Sequence, residues 1–496
     1  MKRDYLPIET LSAWTRLNGI AVNGVAFRKL RTDDGIDKGC AIVATAEMSN
    51  DGSETEGEGL QTLLRIPSDL ILSLRSVENH AKSDRYLREV LDAVGDFGRT
   101  ARGAILIFLI LQITYSSPDF APEQHRIGVS NPWTEYIQYL PSSITLPTFY
   151  TVEERELLCG TSLKLAVDAK IASLDKEFEH LRQSTENISW CRKHWWDEDT
   201  GRFTLNDWKY VDAMYRSRSV DLPGSGHAMV PCIDMANHAS EDSVKALYGE
   251  DAEGNAVLQL REGRKLRPDE EVTISYGHDK PASEMIFSYG FLENERQRAN
   301  QIFLDLNIPE DDPLIMAKKR ICKAPPRVRL LDATPTETGS TNWDSPFVWW
   351  LCVNQEDGLE FEVLQTNDGG RELKVSWKGD EIKDPSDLNA LLSRDPLWDI
   401  FQLRAVVTVL DRLESQFLIL RETQIMVGEI SQNEDMLALF RRDVFSTINS
   451  LRELEGKLLE KGIEDLVKQR QNLITSEAVA AYLTEQQSDD VEEDFS

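Results

Sequence analysis

Pro231-Cys232-Ile233-Asp234-Met235-Ala236-Asn237-His238, then Glu270-Glu271-Val272-Thr273-Ile274-Ser275-Tyr276-Gly277 and Ser288-Tyr289-Gly290-Phe291, are the stretches on which the reading of this chain turns. Asn and His side by side offer amide, imidazole and backbone groups to a polar ligand. An isolated Asn-His pair reads first as a turn with an ordinary histidine, but this one follows an apolar segment and precedes a second dense cluster. The alternation in 272–276 predicts a strand with Val272, Ile274 and Tyr276 on one face. Tyr276 ends that strand beside Gly277, where its hydroxyl can face a cleft. Tyr289 and Phe291 flank Gly290, where backbone can pass close to a ligand. Either tyrosine alone reads as structural; two Tyr-Gly pairs separated by one helix-like stretch read as a site.

Outward from these motifs the chain divides into residues 1–75, 76–220, 221–298, 299–485 and an acidic tail at 486–496. Residues 1–75 read as short strands, with 40–44 and 63–66 set apart by a polar stretch at 48–59 (MSNDGSETEGEG) of loop composition. Residues 76–220 read mainly as helices, including a start at 152–158 with acids in its first turn. The apolar run at 104–113 (AILIFLILQI) is far shorter than the roughly 20 residues of a membrane span and predicts a buried core helix. Strands return in 221–292, among them 256–260 after the turn signal Gly254-Asn255. Beyond about 300, helical spacing is clearest in 443–471, and 359–377 reads as a hairpin around Asn367-Asp368-Gly369-Gly370. The tail is expected to be disordered.

At 496 residues the chain is too long for one ordinary core, so two or three domains are expected. The six cysteines are scattered without a CxxC or Cys/His cluster, which predicts no metal site and fits a reducing compartment. No apolar stretch follows the basic residues near Met1, so no secretory signal is expected. A net charge of −30 argues against a nucleic-acid groove. Such charge draws in basic partners, or simply keeps the protein in solution.

The order Arg218, PCIDMANH, EEVTISYG and SYGFLEN resembles the SET-domain methyltransferases. The subgroup most like it contains the Rubisco large-subunit and fungal ribosomal lysine methyltransferases. An early LLxIP strand at 63–67 and an insert ending in Ser-Arg at 208–219 (WKYVDAMYRSRS) fit the same subgroup, and the motif-bearing match covers roughly 20–292. The resemblance implies an α+β fold: a SET-type β fold of short sheets with a threaded, knot-like crossing, a helical insert, and a mostly α-helical C-terminal domain that binds substrate. It implies S-adenosylmethionine as cofactor, with Asn237 and His238 at the adenosine, Arg218 at the amino-acid end and Phe291 against the adenine. Lys38, Gly39 and Cys40 would approach the methionine part. The family's Gly-x-Gly has lost its first glycine here to Asp37, a departure expected to weaken the cofactor's hold.

The resemblance makes Tyr276 the catalytic tyrosine and has Tyr289 line a lysine channel. Asp234 reads equally as a substrate-facing acid or as an acid that orders its loop. His278 is expected to be a surface histidine without a catalytic role. The expected activity is lysine methylation of a basic protein, of the ribosomal or translation-factor kind, by a monomer in cytoplasm or nucleus with no nucleic acid or membrane partner. Two alternatives stay open: a histidine acceptor, and a SET-fold binding module without turnover.

Overall fold

The apolar run at 104–113 lies inside the helix Ala101–Ser116, every residue of which from Gly103 to Thr114 is buried. A helix that is apolar all round has to be enclosed, and the helices Leu74–Ser83, Arg85–Ala93, Pro132–Tyr136 and Leu205–Arg218 pack around it. Their starts follow from the sequence. Ser73 and Thr204 form capping boxes, Asp84 accepts from the amides of Tyr86 and Leu87, and Asn131 caps a helix that begins on Pro132. Each such cap is worth about 1 kcal/mol.

These helices belong to the first of two units, Met1–Phe149, Val167–His278 and Phe287–Glu293; the second is Tyr150–Ala166, Asp279–Ile286 and Asn294–Ser496. The computed structural model describes residues 1–31, 37–50, 61–120, 131–197, 202–293, 296–309, 311–332, 341–365, 370–482 and 484. The tail 486–496, most of the polar stretch 48–59 and the turn residues 367–369 therefore lie outside the described residues.

Short antiparallel sheets make up the rest of the first unit. Ala21–Val22, Thr62–Ile66, Ala256–Leu260 and Ala246–Glu250 form a four-stranded sheet in that order, and Val25–Arg31 pairs with Asp37–Ala44. Ser219–Leu222 pairs with Gly226–Met229 directly after the helix that ends on Arg218. The alternation expected at 272–276 holds, with Val272 and Ile274 buried, but no continuous strand forms there. Its hydrogen bonds are divided among three neighbours instead. Ala44 donates to the Glu270 carbonyl (2.9 Å) and Val272 to that of Ile42 (2.8 Å). Ala246 donates to the Thr273 carbonyl (2.9 Å), Ile274 to that of Asn237 (2.9 Å), and Ala239 to that of Ile274 (3.0 Å). The segment thus runs between 42–44 and 237–239, bonded to both.

In the second unit the helix expected at 443–471 spans Arg442–Ile474 and packs along Trp398–Gln432, a 35-residue helix whose periodicity was not singled out above. The unit also holds two three-stranded antiparallel sheets. One is built from Gln301–Asp305, Arg327–Leu331 and Asn342–Asp344; the other carries the expected hairpin, Leu359–Gln365 against Arg371–Trp377.

Two buried ionic side chains fasten residues 157–162 to this helix pair. Arg452 donates to the carbonyls of Leu157 (3.0 Å), Cys159 (2.6 Å) and Leu420 (2.8 Å), and to Thr423 Oγ1 and Gln424 Oε1. Glu455 accepts from the Ser162 amide at 2.8 Å and its hydroxyl at 2.5 Å. Burial pushes the Glu455 carboxyl up to about 7, against the pull of Ser162 and Arg452. A carboxyl raised in the folded state keeps its proton where the unfolded chain has lost it, so its stabilisation is full below pH 4.5 and fades as pH rises through about 7. The difference is roughly 3 kcal/mol. Glu455→Gln, which mimics the protonated form, is expected to stabilise the second unit at pH 8 and to change little at pH 4.5. Urea titrations at the two pH values check this, and an equal effect at both would refute the linkage.

Candidate active site

Arg218 is the last residue of the helix Leu205–Arg218, and its guanidinium turns back onto the loop at 232–235. Nη1 donates to the Asp234 carbonyl (2.8 Å) and to Asp234 Oδ2 (3.2 Å). Its hydrogen bonds to described residues come from Nη1, so Nε and Nη2 are the donors left for a ligand. The Asp234 side chain is 1% exposed and its other oxygen accepts from the Tyr136 hydroxyl, which itself accepts from the Cys232 amide at 2.8 Å. Cys232 holds a positive φ of 71° to make this turn. Burial pushes the Asp234 carboxyl up, opposed by Arg218 and Tyr136. Burial also works against the Arg218 charge, and Asp234 with the neighbouring tyrosines outweighs it, holding the guanidinium above its ordinary value.

Three residues on, the backbone of 236–238 meets the segment at 270–276. The Asn237 side-chain amide donates to Glu271 Oε1 (2.6 Å). His238 accepts at Nδ1 from the Tyr276 amide (3.1 Å), and its Nε2 lies 3.1 Å from Glu293 Oε1. The Tyr276 hydroxyl donates to the Ala236 carbonyl at 3.0 Å. Its ring stacks on His238 (centroids 5.1 Å apart) and lies tilted against Tyr289 (4.4 Å), with Phe291 edge-on at 6.4 Å. Burial carries the Tyr276 phenol well above its ordinary value, so at neutral pH it is an O–H and not a base.

Tyr289 ends the helix Ala282–Tyr289, and the chain then turns at Gly290, whose φ is +84°. A Cβ there would stand 2.8 Å from Thr145 Oγ1, so the turn needs glycine to sit this close. Arg216 reinforces the placement by donating to the Phe287 carbonyl and to Thr148 Oγ1.

Lys38, Gly39 and Cys40 lie in the strand Asp37–Ala44. Lys29 is opposite Cys40 and Leu30 opposite Gly39, but Arg31 is opposite Asp37, so Lys38 is the extra residue of a bulge. Gly39 has a φ of +80° and nothing within 4 Å of where a Cβ would be. Backbone here faces open space, as a close approach to a ligand requires. The link from this strand to the aromatic cluster is the ladder of 42–44 with 270–272.

Arg218, Asp234, Asn237, His238, Tyr276, Tyr289 and Phe291 are thus joined through hydrogen bonds and ring contacts. Asp234 is turned inward onto Arg218 and Tyr136, which favours the loop-ordering reading over the substrate-facing one. His278 is exposed. Three residues of the network went unnoticed in the sequence. Glu293 lies in SYGFLEN and Glu271 in EEVTISYG, so both stood inside motifs already quoted. Tyr136 gave no signal, because its bond to Asp234 spans two distant stretches of chain.

No protein-family model matches the chain. SET domain-containing protein 8 of Schizosaccharomyces pombe is 30% identical over 413 residues, 81% of this chain and 87% of that protein. A chloroplastic [fructose-bisphosphate aldolase]-lysine N-methyltransferase of Arabidopsis thaliana is 28% identical over 39% of this chain and 40% of its own length. Actin-histidine N-methyltransferase of Xenopus tropicalis is 20% identical over 77% of this chain and 60% of its own. Among solved structures, the SET domain of LSMT bound to lysine and AdoHcy covers 94% of this chain and 92% of its own, with a TM-score of 0.63 and 17% identity.

Proposed function

This chain belongs to the SET-domain family, and from that premise we propose that it transfers a methyl group from S-adenosylmethionine to a lysine of another protein. The observation that carries the reading is the joining of His238, Tyr276, Tyr289 and Phe291 around the backbone of 236–238, with Arg218 anchored just upstream on Asp234. The donor set suits this cofactor. Arg218 keeps Nε and Nη2 for a carboxylate, Phe291 offers a ring face to an adenine, and Gly39 provides backbone with room beside it.

S-adenosylmethionine, when bound, supplies a methyl group on a positively charged sulfur. A lysine has a solution pKa of about 10.4 and arrives mostly protonated; an apolar, aromatic-lined channel disfavours the ammonium and helps it shed its proton to water. The neutral amine then forms its N–C bond as the C–S bond breaks, and the positive charge passes from sulfur to nitrogen. Tyr276, a neutral phenol fixed by its bond to Ala236, orients the amine and balances part of the charge without adding a full one. Tyr289, its ring tilted against that of Tyr276, walls the approach. Positioning of the two reactants in line provides most of the rate.

A chain of net charge −30 favours a basic acceptor, of the kind found among ribosomal proteins and translation factors. We place the enzyme, as a monomer, in cytoplasm or nucleus. The actin-histidine relative supports a second reading, in which the acceptor is a histidine. One experiment separates these readings: methyl-labelled cofactor is given with the enzyme to extracts of cells lacking the gene, and the modified residue is found by mass spectrometry. Label on lysine of a basic protein is expected, whereas label on histidine would replace the acceptor. Absence of label, together with no calorimetric heat at high micromolar cofactor, would leave only a binding module.

A further inference from the structure

The bonds around His238 fix more than its own position. A backbone amide can only donate, so the Tyr276 N–H pointing at His238 Nδ1 (3.1 Å) requires Nδ1 to be bare. The ring proton of the neutral imidazole must then sit on Nε2, which faces Glu293 Oε1 at 3.1 Å. The His238 side chain is 4% exposed and Glu293 28% exposed, so the acceptor reaches in from the rim while the ring stays enclosed. The ring also lies against Tyr276, with centroids 5.1 Å apart. One histidine thus holds Tyr276 by its amide and by its ring face, and the Tyr276 amide and the Glu293 carboxylate call for the same tautomer.

We propose that Glu293 is a positioning residue: it locks His238 in the Nε2–H tautomer and through that tautomer sets the place of Tyr276. In the other tautomer a proton on Nδ1 would face the Tyr276 N–H, two donors would meet, and residue 276 would have to move. The phenol moves with its backbone, and a displacement of about 1 Å in a positioned group can cost 10²-fold in rate. Glu293 touches neither substrate nor cofactor in this account. Its effect on methyl transfer rests on the function proposed above, whereas its effect on the tautomer does not.

The test uses the full chain labelled with ¹⁵N-histidine, in which Nδ1 and Nε2 report their protons separately, with exchange of the Tyr276 amide followed in parallel. Wild-type protein is expected to show a bare Nδ1 at His238 and a protected Tyr276 amide. Glu293→Ala is expected to mix the tautomers, expose the amide and lower kcat about 10- to 100-fold, with cofactor affinity changed less than threefold. Glu293→Gln, whose Oε1 still accepts from Nε2–H, is expected to restore the tautomer and most of kcat. A bare Nδ1 retained in full by Glu293→Ala overturns the proposal, and so does failure of Gln to rescue. Methyl transfer lacking in wild type while the tautomers respond as stated would instead overturn the enzymatic function.

Discussion

Tyr276→Phe is expected to slow methyl transfer by about 10²- to 10³-fold, the usual cost of losing one preorganised polar group at a reacting centre. The cofactor should still bind within a few-fold of wild type. The substitution removes one oxygen, and with it the bond to the Ala236 carbonyl. The contacts that hold the ring, on His238, Tyr289 and Phe291, are made by carbon and remain. Loss of a single hydrogen bond costs about 1 kcal/mol of stability, too little to unfold the site. Since the phenol is an O–H across the neutral range, the rate loss should not vary with pH between about 6 and 9. Calorimetry for binding and single-turnover labelling for rate measure the two effects separately. Equal losses in both would make Tyr276 a packing residue.

Arg218→Met is expected to abolish detectable cofactor binding and to destabilise the first unit by about 3–5 kcal/mol, the cost of stripping one partner from a buried ion pair. The reason is Asp234, whose side chain is 1% exposed and would keep only the neutral donors of the Tyr136 hydroxyl and the Cys232 backbone. Adding Asp234→Asn removes the stranded charge while preserving an acceptor for Tyr136. The double variant should therefore regain most of the stability and none of the binding. Urea denaturation gives the first quantity and calorimetry the second. Recovery of both in the double variant would show that Arg218 acts only on the fold.

What could be read in the sequence was what local chemistry determines. The acids at 153–154 announced a helix start, 104–113 could only be buried, and 359–377 read as a hairpin. The site was legible where its residues sit in quoted motifs. What escaped was non-local. The strand expected at 272–276 is divided because its partners come from residues 42–44, 237–239 and 246, and periodicity carries no information about partners. Tyr136 is an aromatic among aromatics until Asp234 and Cys232 are brought to it. The sheet of 301–305, 327–331 and 342–344 was hidden in the same way, since 301–305 meets 327–331 only in space.

A nascent chain halted at residue 230 would already contain the whole core helix and most of the caps around it. It would hold Arg218 and residues 38–40 but not the assembled site, because Ile42 and Ala44 wait on a segment beginning at Glu270, and that segment waits in turn on Asn237 and Ala239. Pairing over such separations is slow relative to helix formation. Competence for the cofactor should therefore lag behind helical content during refolding from denaturant. In the cell it should be acquired only after the ribosome has passed Phe291.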